Sequence, residues 1–223
     1  MIERYALDRR RQGFTLIEVA VVVAIVGLLA AVAVPTMTGR TNTERLKAST
    51  RGIASAFSLA RSEAVRTGNI HLVFIGTDAL GNALPAINGN AALAVVVDDG
   101  AEGSANQNCR IDAGETVWQL EPGDNIAGGV LTGVTQMTED AGSGTRTTGS
   151  TFTEPDGDPA SWVLFRPEGT THAFDSACTV GVVGSGGGGI YLNNGDRQFG
   201  VALRPLGTAR VRTWEAAASQ WRS

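Results

Sequence analysis

From Phe14 to Val34 the chain reads FTLIEVAVVVAIVGLLAAVAV, an apolar run broken by one charge, Glu18. A helix with no polar face is one surrounded by apolar material on all sides. At about 1.5 Å per residue it reaches roughly 30 Å, the thickness of a bilayer's hydrocarbon core. The sequence therefore predicts a transmembrane helix over 14–34. Pro35 removes a backbone donor and is expected to kink the helix, after which the pattern changes. From Thr43 onward Leu46, Ile53, Phe57, Ala60 and Ala64 share one face, while Arg45, Lys47, Arg51, Arg61 and Arg66 mostly lie elsewhere. This predicts an amphipathic continuation over 35–68, closed by Gly68 and Asn69.

Beyond residue 69 strand-like runs alternate with clusters of Gly, Asn, Asp and Pro. Strands are expected over 70–76, 92–98, 115–121, 161–167, 189–194 and 197–205, with 209–214 the last. No second long helix is available for parallel crossovers, so the economical arrangement is an antiparallel sheet packed on the amphipathic half-helix. The predicted class is α+β, with a β-rich body over 69–223. No internal repeat is found. The stretch from Thr138 to Asp158 and the run GSGGGG at 184–189 read as mobile loops.

Composition narrows the function. With 223 residues, 43% hydrophobic and 18% charged, the chain has too much apolar content for a disordered segment. A net charge of −4 excludes a generally basic, nucleic-acid-coating protein. No nucleophile sits in the local pattern of a catalytic motif, and the glycine run lacks the lysine of a phosphate-binding loop, so no enzymatic activity and no cofactor are expected. Two histidines, His71 and His172, and two cysteines are too few and too scattered for a four-ligand metal site, and both histidines read as structural or surface residues. Asp98, Asp99 and Asp112 lack the regular spacing of a calcium loop and read first as solvated turn carboxylates. Cys109 and Cys178 are compatible either with a disulfide or with a pair of buried thiols.

Ahead of the apolar run lies MIERYALDRRRQG, whose Arg4, Arg9, Arg10 and Arg11 hold the N-terminus in the cytoplasm and send the remainder outward. The polar break precedes the apolar run, unlike an ordinary secretory signal, so cleavage there would leave the hydrophobic helix on the mature protein. Gly13-Phe14-Thr15-Leu16-Ile17-Glu18 resembles the type III signal sequence of type IV pilins and type II secretion pseudopilins. The resemblance implies removal of residues 1–13 by a prepilin peptidase cutting between Gly13 and Phe14, and N-methylation of Phe14. Pro35 also falls where many pilins carry a kinking proline. A carboxylate in a membrane segment generally persists because it has a partner. For Glu18 that partner is the new α-amine of Phe14, mostly cationic at neutral pH. The resemblance implies pairing with a neighbouring subunit's amine in a filament; an intrachain i, i+4 pair is the alternative.

A narrower resemblance covers most of the chain. LARSEAVRTGNIHLVF (59–74), Asp98, DAGE (112–115), FRPEGT (165–170) and GTARVR (207–212) are together similar to the GspH/FimT group of minor pseudopilins. It implies two β-sheets packed on the helix and a place at or near the tip of a periplasmic pseudopilus or related pilus. The implied partners are other pilins or pseudopilins, the prepilin peptidase, an inner-membrane assembly platform with its ATPase, and the membrane. The implied localisation is single-pass in the inner membrane with a periplasmic body. Carboxylates bind calcium in some pseudopilins. Some FimT-like pilins bind DNA through a C-terminal G-R-x-R element, matched here only by Gly207 followed two residues late by Arg210-Val211-Arg212. DNA binding through Arg210 and Arg212 is thus an alternative, opposed by the charge of −6 left once the leader is removed. A simple membrane-anchored periplasmic protein is a further alternative.

Overall fold

The computed structural model describes residues 14–87, 89–121, 123 and 126–222, without the side chains of 32–39. Among these residues the one α-helix, α1, runs from Leu16 to Thr67. Two compact units divide within it, 1–41 and 42–223. The leader and Gly13 lie outside the described residues, as does the side chain of Pro35, which falls within α1.

In the second unit the predicted face of α1 is buried: Leu46, Ile53, Phe57, Ala60 and Ala64 are all fully enclosed. Phe57 sits 6.0 Å from Phe152 edge-on and 6.4 Å from Phe165. Burying one such ring contributes roughly 2–3 kcal/mol, which makes this face the anchor of the body. α1 stops where Gly68 turns left-handed, with φ +73°, and its N–H donates to the Ala64 carbonyl at 3.0 Å.

Twelve strands follow: β1 (Asn69–Ile75), β2 (Ala86–Ile87), β3 (Asn90–Ala91), β4 (Ala94–Ala101), β5 (Val117–Leu120), β6 (Ala127–Gly128), β7 (Trp162–Phe165), β8 (Thr171–His172), β9 (Gly188–Asn193), β10 (Gln198–Leu203), β11 (Ala209–Glu215) and β12 (Gln220–Arg222). They form two five-stranded sheets, ordered β5-β4-β1-β7-β8 and β12-β11-β10-β9-β6, plus the β2-β3 pair. Every pairing is antiparallel. The chain is thus α+β, a helix with antiparallel sheets, and one hydrophobic core joins α1 to both larger sheets.

Three expectations fail. The strand at 209–214 is not the last, because β12 folds back on it with Trp221 opposite Trp214. The two stretches expected to be mobile loops are each packed in part. Gly186 to Gly189 are buried, and a Cβ on Gly186 would stand 2.6 Å from Val163 and 2.7 Å from the His172 backbone. The glycines are there because another chain segment occupies the space a side chain would need. Within 138–158, Ser150, Thr151 and Phe152 are buried and Thr151 N–H donates to the Gly189 carbonyl at 2.9 Å.

There is also an internal repeat. The β7–β8 turn is Arg166-Pro167-Glu168-Gly169-Thr170, and the β10–β11 turn is Arg204-Pro205-Leu206-Gly207-Thr208. In each, the arginine N–H donates to the threonine carbonyl (3.2 and 3.0 Å) and the glycine N–H to the arginine carbonyl (2.8 Å in both). Both glycines have positive φ, +75° and +78°. The same R-P-x-G-T hairpin therefore closes one strand pair in each sheet.

Candidate functional site

At the N-terminal end of α1, Thr15 caps the helix: the Glu18 N–H lies 3.3 Å from its Oγ1 and 3.1 Å from its carbonyl. Thr15-x-x-Glu18 has the spacing of a capping box, which puts the carboxylate on the first turn where the helix dipole favours negative charge. Around it the large apolar side chains from Phe14 to Leu29 are all half or more exposed. Among the described residues no helix is long and apolar enough to cross a membrane. The apolar run ends at Val34, and the side chains of 32–39 lie outside the described residues.

In the second unit, Arg61 joins three of the motif blocks. Its Nε donates to the Gly169 carbonyl at 3.1 Å. A Cβ on Gly207 would stand 2.5 Å from that same carbonyl and 3.1 Å from the Arg61 chain. The arginine of LARSEA thus docks the helix on both R-P-x-G-T turns, one from each sheet.

The C-terminal arginines have separate roles. Arg212 is ion-paired with Glu139, Nε to Oε2 at 3.3 Å with a closer contact through its second nitrogen, and Arg204 stands 3.9 Å from the same carboxylate. The Arg212 guanidinium holds the Glu139 carboxyl below its ordinary range. Arg222 pairs with Glu215. Only Arg210 of the expected Arg210 and Arg212 pair is exposed and free of a counter-charge among the described residues. The two residues named for the DNA alternative thus stand in different surroundings, Arg212 paired with Glu139 and Arg210 exposed. Sequence reading missed Glu139, which lies in a Gly- and Thr-rich stretch 73 residues before its partner.

Asp98, Asp99 and Asp112, read from the sequence first as solvated turn carboxylates, serve as loop acceptors, and Asp99 is buried rather than solvated. Asp98 takes the Asn69 amide at 2.9 Å and the Gly100 N–H at 3.1 Å. Asp99, fully buried, takes the N–H groups of Asn108 and Cys109 at 3.3 and 3.1 Å, and Asp112 accepts from the Asn108 amide at 2.5 Å. Burial pushes the Asp99 carboxyl up. Cys109 and Cys178 are joined as a disulfide with Cα atoms 5.3 Å apart, linking the β4–β5 and β8–β9 loops. Glu154, Asp156 and Asp158 gather on one turn, Glu154 half-buried and the two aspartates exposed.

Both histidines are buried. His172 Nδ1 lies 2.9 Å from the Gly181 carbonyl. His71 Nε2 has no hydrogen-bond partner among the described residues and is 4.0 Å from Asp98, too far for one. Tyr191 donates to Asp140 at 2.6 Å and accepts the Met137 N–H at 3.0 Å, while Thr151 donates to Asp140 at 2.7 Å. This buried network fixes residues 137–151 on β9; burial and the Asp140 carboxylate push the Tyr191 hydroxyl far up. Nothing in it resembles a nucleophile with its base; it is an anchor.

Residues 8–34 match the prokaryotic N-terminal methylation motif. The chain is 40% identical over 58 residues to the type IV narrow pilus major component PilA5 of Thermus thermophilus, a match covering 25% of this chain. The chain spans 50% of that relative's length. No solved structure matches it. The N-terminal segment is therefore of the prepilin type and the chain is type IV pilin-like there.

Proposed function

We propose that the chain is a non-enzymatic filament subunit, a minor pseudopilin of a type II secretion pseudopilus or of a related type IV pilus. A prepilin peptidase removes residues 1–13, Phe14 is N-methylated, and the apolar helix holds the protein in the inner membrane with its body in the periplasm until assembly. The observation that carries this reading is the exposed apolar surface from Phe14 to Leu29, which lies within the match to the methylation motif and carries one carboxylate on its first turn. Apolar surface on that scale needs a partner, which lipid supplies before assembly and neighbouring helices supply afterwards. In a filament, Glu18 meets a neighbour's α-amine.

The GspH/FimT assignment is supported by Arg61, which brings LARSEA, FRPEGT and GTARVR into one cluster. The alternative of DNA uptake is disfavoured by the pairing of Arg212 with Glu139.

Production in a host with a prepilin peptidase, followed by intact-mass and N-terminal analysis, tests the proposal. The expected product begins at N-methylated Phe14. A mature chain still beginning at Met1 overturns it.

A further inference from the structure

The second sheet has a strand edge that its own chain leaves half covered. β12 pairs with Thr213, Trp214 and Glu215 of β11, whereas among the described residues nothing pairs with the outer side of Ala209 to Val211. The alternation of the ladder can be read from the turn. Arg204 and Thr208 form a hydrogen-bonded pair, so Ala202–Arg210 is the next such pair inward, and the backbone groups of Ala209 and Val211 point away from β10. Two N–H and two C=O groups face outward there.

Beside this edge lies a groove of about 470 Å³ between the last turns of α1 and the start of β11, lined by Ser58, Ser62, Val65 and Ala209 among others. Ala209 and Val211 turn toward the core, so Arg210 and Arg212 alternate onto the opposite face. On that face Glu139 already lies across Arg212 and Arg204, while Arg210 is exposed with no counter-charge among the described residues.

We propose that the Ala209–Val211 edge is a docking site for an extended acidic segment of a partner protein, added as an extra antiparallel strand. The alternation fixes the partner's pattern: small apolar side chains toward the α1 groove and carboxylates toward Arg210. A second copy of the same edge is unsuitable, because pairing β11 with itself sets arginine near arginine. DNA is unsuitable because its phosphate backbone offers acceptors only and would leave the outward Ala209 and Val211 carbonyls unmatched. The recognition follows β-augmentation, in which main-chain bonds supply affinity and alternate side chains supply selectivity. It stands independently of the filament reading.

The test uses the full chain in detergent micelles and a labelled ten-residue peptide of alternating Glu and Val. Three further probes are its two forms N-methylated at alternate residues, a Lys and Val counterpart, and a single-stranded DNA 20-mer. Fluorescence anisotropy reads binding, and hydrogen exchange reads the amides of 208–212. The acidic peptide is expected to bind and to slow exchange at Ala209 and Val211. One N-methylated form should bind about tenfold more weakly, as the loss of two backbone hydrogen bonds requires. Arg210→Glu, an exposed change that leaves the fold intact, should weaken binding about fivefold. The proposal is overturned if the peptide does not bind, if both N-methylated forms bind as well as the parent, or if Arg210→Glu is without effect. Protection of 208–212 by DNA alone would also overturn it and assign the edge to phosphate.

Discussion

His71 is the residue whose surroundings most directly set a pH dependence. Burial lowers its pKa; the Asp98 carboxylate at 4.0 Å and Glu63 act in the opposite direction, Arg66 with the burial, and desolvation wins. A depressed value in the fold means that the unfolded chain takes up the proton first. This contribution to stability is fully present above the ordinary histidine value of about 6.5 and is lost as pH falls through the lower folded value. Urea midpoints should fall between pH 7.5 and pH 5.5, and His71→Gln should flatten that part of the profile. Gly186 makes a different prediction: a methyl group there meets Val163 and the backbone of His172 below 3 Å. Gly186→Ala should cost about 1–3 kcal/mol by denaturant titration. Glycine content suggested turns, and only the facing segments reveal that this run is core. The disulfide partners and Glu18 were legible as candidates from residue type alone. The Arg212–Glu139 and Tyr191–Asp140 pairs were not, since ladder register and loop path decide which distant residues meet.

At the scale of elements, α1 is the best predicted part of the molecule. Its buried residues recur at helical spacing and local geometry fixes its end at Gly68, so no tertiary information was needed. The seven long strands were found for the same reason. β12 escaped because three residues give no measurable alternation, and its Trp221 is held by a hydrogen bond to the distant Thr135 carbonyl at 2.7 Å. The first turn of α1 yields a prediction that separates assembly from anchoring. Glu18→Ala removes the carboxylate and leaves the apolar surface and the Thr15 cap in place. Membrane fractionation of the variant should be unchanged, while its recovery in sheared filaments should fall at least about tenfold, the effect of losing a desolvated ion pair. Normal incorporation of the variant would remove Glu18 from the assembly mechanism.

For the whole molecule, the absence of a second long helix led to the right class, one long helix with antiparallel sheet, and the division into two sheets was implied only by the family resemblance. The sequence left open whether Cys109 and Cys178 are bonded, and the structure joins them. The Cys109–Cys178 bond closes a span of 69 residues between two loops. On the chain-entropy account such a bond contributes roughly 4 kcal/mol by restricting the unfolded state. Cys109→Ser with Cys178→Ser should therefore lower the denaturant midpoint of the body clearly, and adding a reductant to the unaltered protein should reproduce the shift. The core of Phe57, Phe152 and Phe165 remains, so both should still give folded spectra at low temperature.

The meeting of Arg61 with the twin turns has a mechanical consequence. One turn belongs to each sheet, and both touch a single guanidinium-bearing side chain two turns before the helix ends. Tension arriving along that part of α1 is shared between the two layers at one rivet. Neither layer can be peeled away before the other feels the pull.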